Sequence, residues 1–219
     1  MNRMICSIAL CVFLPLFFAG CSSHPPSAAQ FMNVKKEEGR FNNSFNAGVF
    51  LLRGDAYRGT SHIDEDYGDM EDFGNLDLSL LLRYSHFLVG GSFENASFRF
   101  IMGFRSKYIG LQGWGSIEAT SVSLHRNKAI PLLGGLMLIE EYPISDVFRV
   151  GLSEHFSRNA YKVDSHEEGI GFYSSNHYNE FGIGAYFTYE NFSFEFRYGR
   201  EIDEPRNRFY FMTHYAIFN

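Results

Sequence analysis

From Asn46 to the C-terminus, apolar and polar residues alternate with a period of two. Leu76, Leu78, Leu80, Leu82 and Tyr84 oppose Asp77, Ser79, Leu81, Arg83 and Ser85. Phe98, Phe100, Met102 and Phe104 oppose Arg99, Ile101, Gly103 and Arg105. Phe192, Phe194, Phe196 and Tyr198 oppose Ser193, Glu195, Arg197 and Gly199, and Phe209, Phe211, Thr213, Tyr215 and Ile217 close the chain. Successive side chains of a strand point to opposite faces, so this period predicts β-structure throughout. No helical stripe follows residue 21. Eleven segments can be marked, at 46–57, 75–85, 87–94, 97–104, 107–114, 117–125, 132–141, 147–157, 180–189, 192–200 and 208–218.

One face of these strands is Leu, Phe and Tyr; the other is Arg, Glu, Asp, Ser and Gly. A soluble sandwich hides the first face, whereas a membrane barrel turns it to lipid. Three features favour the barrel. Most segments approach the ~9–11 residues that a tilted membrane strand needs. Rings recur near segment ends, at Tyr57, Tyr84, Tyr108, Trp114, Tyr142, Phe156, Tyr189 and Tyr198, as interfacial girdles require. Connections fall into two kinds: short turns at Glu94–Ala96, Gly115–Ser116, Tyr142–Asp146 and Glu190–Asn191, and long stretches at 58–74, 158–179 and 201–207. Even strand numbers are the rule for bacterial barrels. The expected fold is therefore all-β, an antiparallel up-and-down transmembrane β-barrel of about ten strands, with eight to twelve as the range. The alternative is a soluble lipid-anchored β-barrel or sandwich that binds a ligand or partner.

Composition adds the compartment. The chain has 219 residues, a formal net charge of −6 and 17% aromatics, yet its mean hydropathy is only −0.17. An acidic chain without a basic stripe speaks against a nucleic-acid partner. Residues Ile5–Phe18 form an apolar run, broken by Ser7 and Pro15, that is too short for an ordinary membrane helix and reads as a signal-peptide core. All three cysteines, Cys6, Cys11 and Cys21, lie in the first 21 residues. The run ends in Phe18-Ala19-Gly20-Cys21, which resembles the bacterial lipobox. The resemblance implies cleavage before Cys21 and a covalent lipid on that cysteine, and Ser22 after it resembles the pattern sent to the outer membrane. The expected division is a signal peptide at 1–20, a lipidated flexible tether at 21–42 and the barrel at 43–219. The tether reading rests on the Pro/Ser/Ala-rich stretch after Cys21 and the mixed charges at Lys35–Arg40.

The C-terminal alternation resembles the outer-membrane assembly signal, with Phe218 penultimate instead of last. Together these patterns resemble the small outer-membrane barrels of the OmpA and OmpX class. That implies an outer-membrane, lipid-anchored protein with membrane lipid as neighbour. Other envelope proteins or surface ligands would meet loops 58–74 and 158–179, and no cofactor is expected beyond the lipid on Cys21.

Candidate chemistry is sparse. Arg53, Asp55, Arg83, Glu94, Arg99, Arg105, Arg149, Glu195 and Arg197 belong to the polar face. In a narrow lumen they must pair, because unpaired buried charge is expensive; on a sandwich they would be solvated, and in a wider barrel they would line a selective pore. The stretch Asp64–Asp72 holds six carboxylates in nine residues. Asp64, Asp66, Asp69 and Asp72 are candidate ligands for weak Ca²⁺ or Mg²⁺ binding, and the favoured reading of the stretch is a solvated, self-repelling surface loop. His155-Phe156-Ser157, with Asn159-Ala160, resembles the His-x-Ser-Asn-Ala stretch of the lipid A deacylase barrels, with Arg158 inserted. That resemblance implies a Ser-His-Glu triad, with Glu167 or Glu168 as the acid. The same alternation places His155 on the polar face, while that family's site faces lipid. The favoured reading is a non-enzymatic barrel, structural or binding through its loops, with paired charges closing its lumen.

Overall fold

A computed structural model describes residues 24–35, 41–54, 71–94, 97–118, 133–165, 172–203 and 206–218. Ten strands follow a short helix, α1 (Ala28–Asn33): β1 (Phe41–Gly54), β2 (Glu71–Tyr84), β3 (Phe87–Glu94), β4 (Ser97–Arg105), β5 (Ile109–Glu118), β6 (Leu133–Pro143), β7 (Phe148–Ser165), β8 (Phe172–Tyr189), β9 (Phe192–Glu201) and β10 (Asn207–Phe218). Each strand pairs antiparallel with its sequence neighbour, and β1 pairs with β10 to close the barrel. The ladder leaves no free edge, which is what a strand-built wall in lipid requires. No helix among the described residues is long and apolar enough to cross a membrane.

The alternation sorts the faces as a membrane barrel demands. Leu76, Leu80, Leu82, Phe98, Phe100, Met102, Leu136, Leu152, Phe156, Ile183 and Ile217 are exposed on the outer wall, while Arg99, Glu180, Glu195 and Arg197 are at most 2% exposed within. A soluble sandwich would show the reverse, so that alternative is overturned. Tyr84, Tyr108, Tyr142, Tyr189 and Tyr215 are exposed near one rim. Trp114 departs from the expected girdle. It turns inward and is 8% exposed, because β5 runs straight through Gly115 and Ser116, where a turn was expected. The expected segments 107–114 and 117–125 thus reduce to one strand, and the eleven marked segments give the ten strands expected.

The two rims differ. On one, the connections between β2 and β3, β4 and β5, β6 and β7, and β8 and β9 span two to four residues, and Ser85 and Glu190 take positive φ there. Residue Phe41 begins on this turn rim and Phe218 ends on it. The other rim receives the connections 55–70, 95–96, 119–132, 166–171 and 202–206. The expected loop 158–179 is mostly not a loop. β7 and β8 run 18 residues each and stay paired to Ser165↔Phe172. They pass beyond β6 and β9, whose ladders begin at Gly134↔Arg158 and Glu180↔Glu201.

Gly134 is the one strand position with a backbone that L side chains rarely adopt, at φ +154°; a Cβ there would meet the Trp114 carbonyl oxygen at 2.2 Å.

Candidate functional site

The lumen is occupied by the chain itself. Residues Ala28 to Val34 are no more than 4% exposed, and His24 is 2% exposed. This corrects the tether reading for 24–35. The Pro/Ser/Ala composition is wrong for packing on a flat surface. It suits a channel, where small side chains let the backbone approach the wall. An eight-stranded barrel is just filled by its own side chains. Ten strands leave room for more, so paired wall charges alone would not fill this interior.

The segment is held in three layers. At the turn rim, three arginines meet the C-terminal end of α1. Arg83 and Arg105 donate to the Val34 carbonyl at 2.7 and 2.6 Å, and Arg149 donates to the Met32 carbonyl at 3.4 Å and to the Asn33 side chain. Helix C-terminal carbonyls lack partners within the helix and carry partial negative charge, so cations belong there. Glu141 balances this cluster, 3.4 Å from Arg105 and 3.6 Å from Arg149, and accepts from the Tyr186 hydroxyl at 3.1 Å.

In the middle layer the polarity reverses. Ser27 caps α1, its hydroxyl accepting from Gln30 N at 3.2 Å. Glu195 accepts from the Ser27 hydroxyl at 2.7 Å and from Ala28 N and Ala29 N at 3.3 and 3.2 Å. Arg197 bonds Glu195 and donates to the carbonyls of Pro25 and Pro26 at 2.9 and 2.6 Å. Proline offers no N–H, so a two-proline stretch presents acceptors only, and an arginine fork is the matching donor. Around these bonds Ala28, Ala29, Phe31, Met32 and Val34 pack with Leu81, Leu88, Ile101, Trp114, Met137, Ile139 and Tyr186. Gly110 makes room for the helix: a Cβ there would lie 2.7 Å from the Met32 sulfur.

The third layer lies at the end of the long connections. The His24 ring bonds Glu94, the last residue of β3, and stacks on Phe50 with centroids 3.6 Å apart. Arg99 donates to the His24 carbonyl at 2.7 Å, bonds Glu94 and lies 3.5 Å from Asp77, which in turn meets His214 at 3.1 Å. Beside it on β7 to β10, His155 bonds Glu180 at 3.0 Å, and the Tyr210 hydroxyl donates to Glu180 at 2.7 Å. Arg208 lies 3.3 Å from Glu201 and 3.7 Å over the Tyr178 ring.

Seven of the nine residues expected in a lumen network are therefore found together inward: Arg83, Glu94, Arg99, Arg105, Arg149, Glu195 and Arg197. Arg53 is a correction. It faces outward near the end of β1, because strand alternation gives the inward places to Phe50 and Leu52, which pack with Tyr210 and Met212, and Phe50 stacks on the His24 ring. Asp55 lies outside the described residues. Asp77, Glu141, Glu180, Glu201, Arg208 and His214 belong to the lumen set and were missed; Asp77 and Glu201 share strand parity with Arg83 and Arg197, while β6, β8 and β10 contributed no residue to the expected set. No residue pattern announces that Pro25, Pro26 and Val34 give backbone carbonyls to it.

His155 and Ser157 share the inward face of β7, both at most 2% exposed. They bond elsewhere: His155 to Glu180, and Ser157 accepts from the Asn159 amide at 2.9 Å. Glu168, like Cys21, Asp64, Asp66 and Asp69, lies outside the described residues, and nothing is described of the Asp72 side chain on β2. Among the described residues no group of three metal-ligating side chains is gathered.

Charges also stand on the outer wall, among the described residues at Arg53, Glu140, Glu154, Arg158 and Arg200. Glu154 is exposed on β7 between Leu138 and Ile183 on its neighbours, and forms no ion pair among the described residues.

No family model and no curated protein matches the chain. Among solved structures it is similar to Ail, the attachment invasion locus protein of Yersinia pestis, at 14% identity over 80% of this chain and 95% of that one, with a TM-score of 0.35. It is similar to Neisserial surface protein A at 10% identity, covering 80% and 97%, with a TM-score of 0.41. The N-terminal β-barrel domain of Pseudomonas aeruginosa OprF is 8% identical, covering 78% and 97%, with a TM-score of 0.34. The ten-stranded membrane barrel rests on the chain's own closed ladder and its outward apolar belt.

Proposed function

We propose that this chain is a lipid-anchored outer-membrane β-barrel that does not conduct, because its own residues 24–35 close the lumen. Its role is structural, or it binds partners at the rim of the long connections. The observation that carries this reading is the clamp on α1: a carboxylate at one end, three arginines at the other and an apolar waist between them. A transient occupant would not be matched at both poles of its helix. The connection 55–70 holds much of the acidic stretch, which gives the rim a negative patch suited to a cationic partner. The buried His155 and Ser157 face the lumen and bond to different residues, which favours a structural role for both over hydrolysis of lipid.

The purified protein reconstituted in planar bilayers tests this. Silence under voltage, with heat-modifiable migration on a gel, is the expected result; a steady open channel overturns the closed-lumen reading. Incorporation of labelled palmitate that is lost in Cys21→Ser, with that variant still requiring detergent, tests anchor and barrel separately.

A further inference from the structure

The path of the plugging segment fixes where a lipid on Cys21 must sit. We infer that the chain is threaded through its own barrel, so that Cys21 and its acyl chains emerge at the rim of the long connections; this rests on the lipid-anchor reading above. Lys35 lies at the turn rim, where its carbonyl accepts from the Asn42 amide at 3.0 Å, and Asn42 is the second residue of β1. The Val34 carbonyl is held by Arg83 and by Arg105, the last residue of β4. His24 is held at the opposite end, by Glu94, the final residue of β3.

The separation can be measured along β3. Arg83 stands opposite Leu88, and Glu94 is six residues further. At ~3.4 Å per residue that is roughly 20 Å along the strand, or about 15 Å along a barrel axis tilted ~40° from it. Cys21 is three residues before His24, and three extended residues reach at most ~11 Å. Cys21 therefore cannot return to the turn rim. The way back is also filled, because α1 and its apolar partners occupy the lumen below His24.

The wall offers no side exit. All ten strand pairs are hydrogen-bonded, including the β1–β10 seam, so acyl chains cannot pass between strands. They must go over the rim of the long connections, where Glu94 of β3 is already its last paired residue. Long connections face outward in outer-membrane barrels and short turns face the periplasm. The acyl chains thus enter the outer leaflet. Ordering follows too: the segment must lie inside before β1 and β10 zip, so closure of the barrel captures it.

Thiol accessibility in intact cells tests the inference. Ser23→Cys gives one reporter, because Cys6 and Cys11 leave with the signal peptide and a lipidated Cys21 has no thiol. Asp203→Cys marks the long-connection rim and Asp146→Cys the turn rim; both positions are exposed. The probe is a small membrane-impermeant thiosulfonate. The expected result is modification of Ser23→Cys in intact cells within about tenfold of the Asp203→Cys rate, with Asp146→Cys reacting only after lysis. A Ser23→Cys that reacts only after lysis, alongside Asp146→Cys, overturns the threading. Labelled palmitate is followed in the same cells. Its absence, with Cys21 itself reacting, overturns the lipid anchor and is a readout distinct from the side on which Ser23 appears.

Discussion

Arg197→Met is the most informative single change. Arg197 is fully buried, bonds Glu195 and donates to the Pro25 and Pro26 carbonyls. Removing one partner of a buried pair costs ~3–5 kcal/mol, and each lost carbonyl bond adds ~1 kcal/mol. That penalty applies only while residues 24–35 remain docked. Once the segment leaves, water enters and solvates Glu195, so the loss falls on docking and spares the wall. A loss of ~5 kcal/mol, the lower end of that sum, shifts the docking equilibrium by a few thousandfold. In planar bilayers the parent protein stays closed, and Arg197→Met shows long-lived openings. In the same preparation residues 24–35 become cleavable by added protease, and heat-modifiable migration persists because no strand ladder uses the Arg197 side chain. The double variant Glu195→Gln/Arg197→Met, which removes the stranded charge, recovers part of the closure. Arg197→Met channels as silent and as protease-resistant as the parent would refute the clamp.

Gly110→Val places methyl groups against Met32 and Phe31 without striking the backbone, so it opens the channel while leaving the barrel's unfolding in urea within ~1 kcal/mol of the parent. Gly134→Ala does the opposite: its positive φ and the Trp114 carbonyl at 2.2 Å predict a loss of ~1–3 kcal/mol in the same titration, with the lumen still closed in the folded fraction. Glu154→Leu removes an outward-facing carboxylate from the wall and raises the unfolding free energy, read by urea titration in vesicles, by about 1 kcal/mol or more. Leu138→Arg, on the same outer face, lowers it by about 2–4 kcal/mol if it lies near the bilayer midplane.

Most of the wall was legible in the residues, because strand parity is local. Leu80 and Arg83, or Phe196 and Arg197, declare opposite faces by their types alone, and a lipid-facing wall exposes the greasy set. The misreadings share one cause. Gly115-Ser116 resembles a turn and 158–179 resembles a loop only when polarity is taken as a sign of irregular backbone. Gly115 and Ser116 stay in strand because β4 and β6 pair them on both sides, and beyond Arg158 and Glu180 β7 and β8 stay in strand by pairing with each other. Arg53 was assigned inward by its charge, and strand parity decided otherwise once Leu52 and Phe50, the latter stacked on the ring of His24 far away in sequence, took the inward places.

The sequence by itself determined that this is a β-walled protein whose strands carry one apolar face and one polar, charged face. Each of these follows from residue type at short range, where period and composition act. Tertiary structure alone decided that β5 runs on through Gly115 and Ser116, that the segment from His24 to Val34 is buried among the inward-facing side chains, and that Glu195 and three arginines address the two ends of one short helix. Those outcomes depend on the volume left inside a closed ladder and on backbone carbonyls, and neither quantity is written in the identity of any single residue.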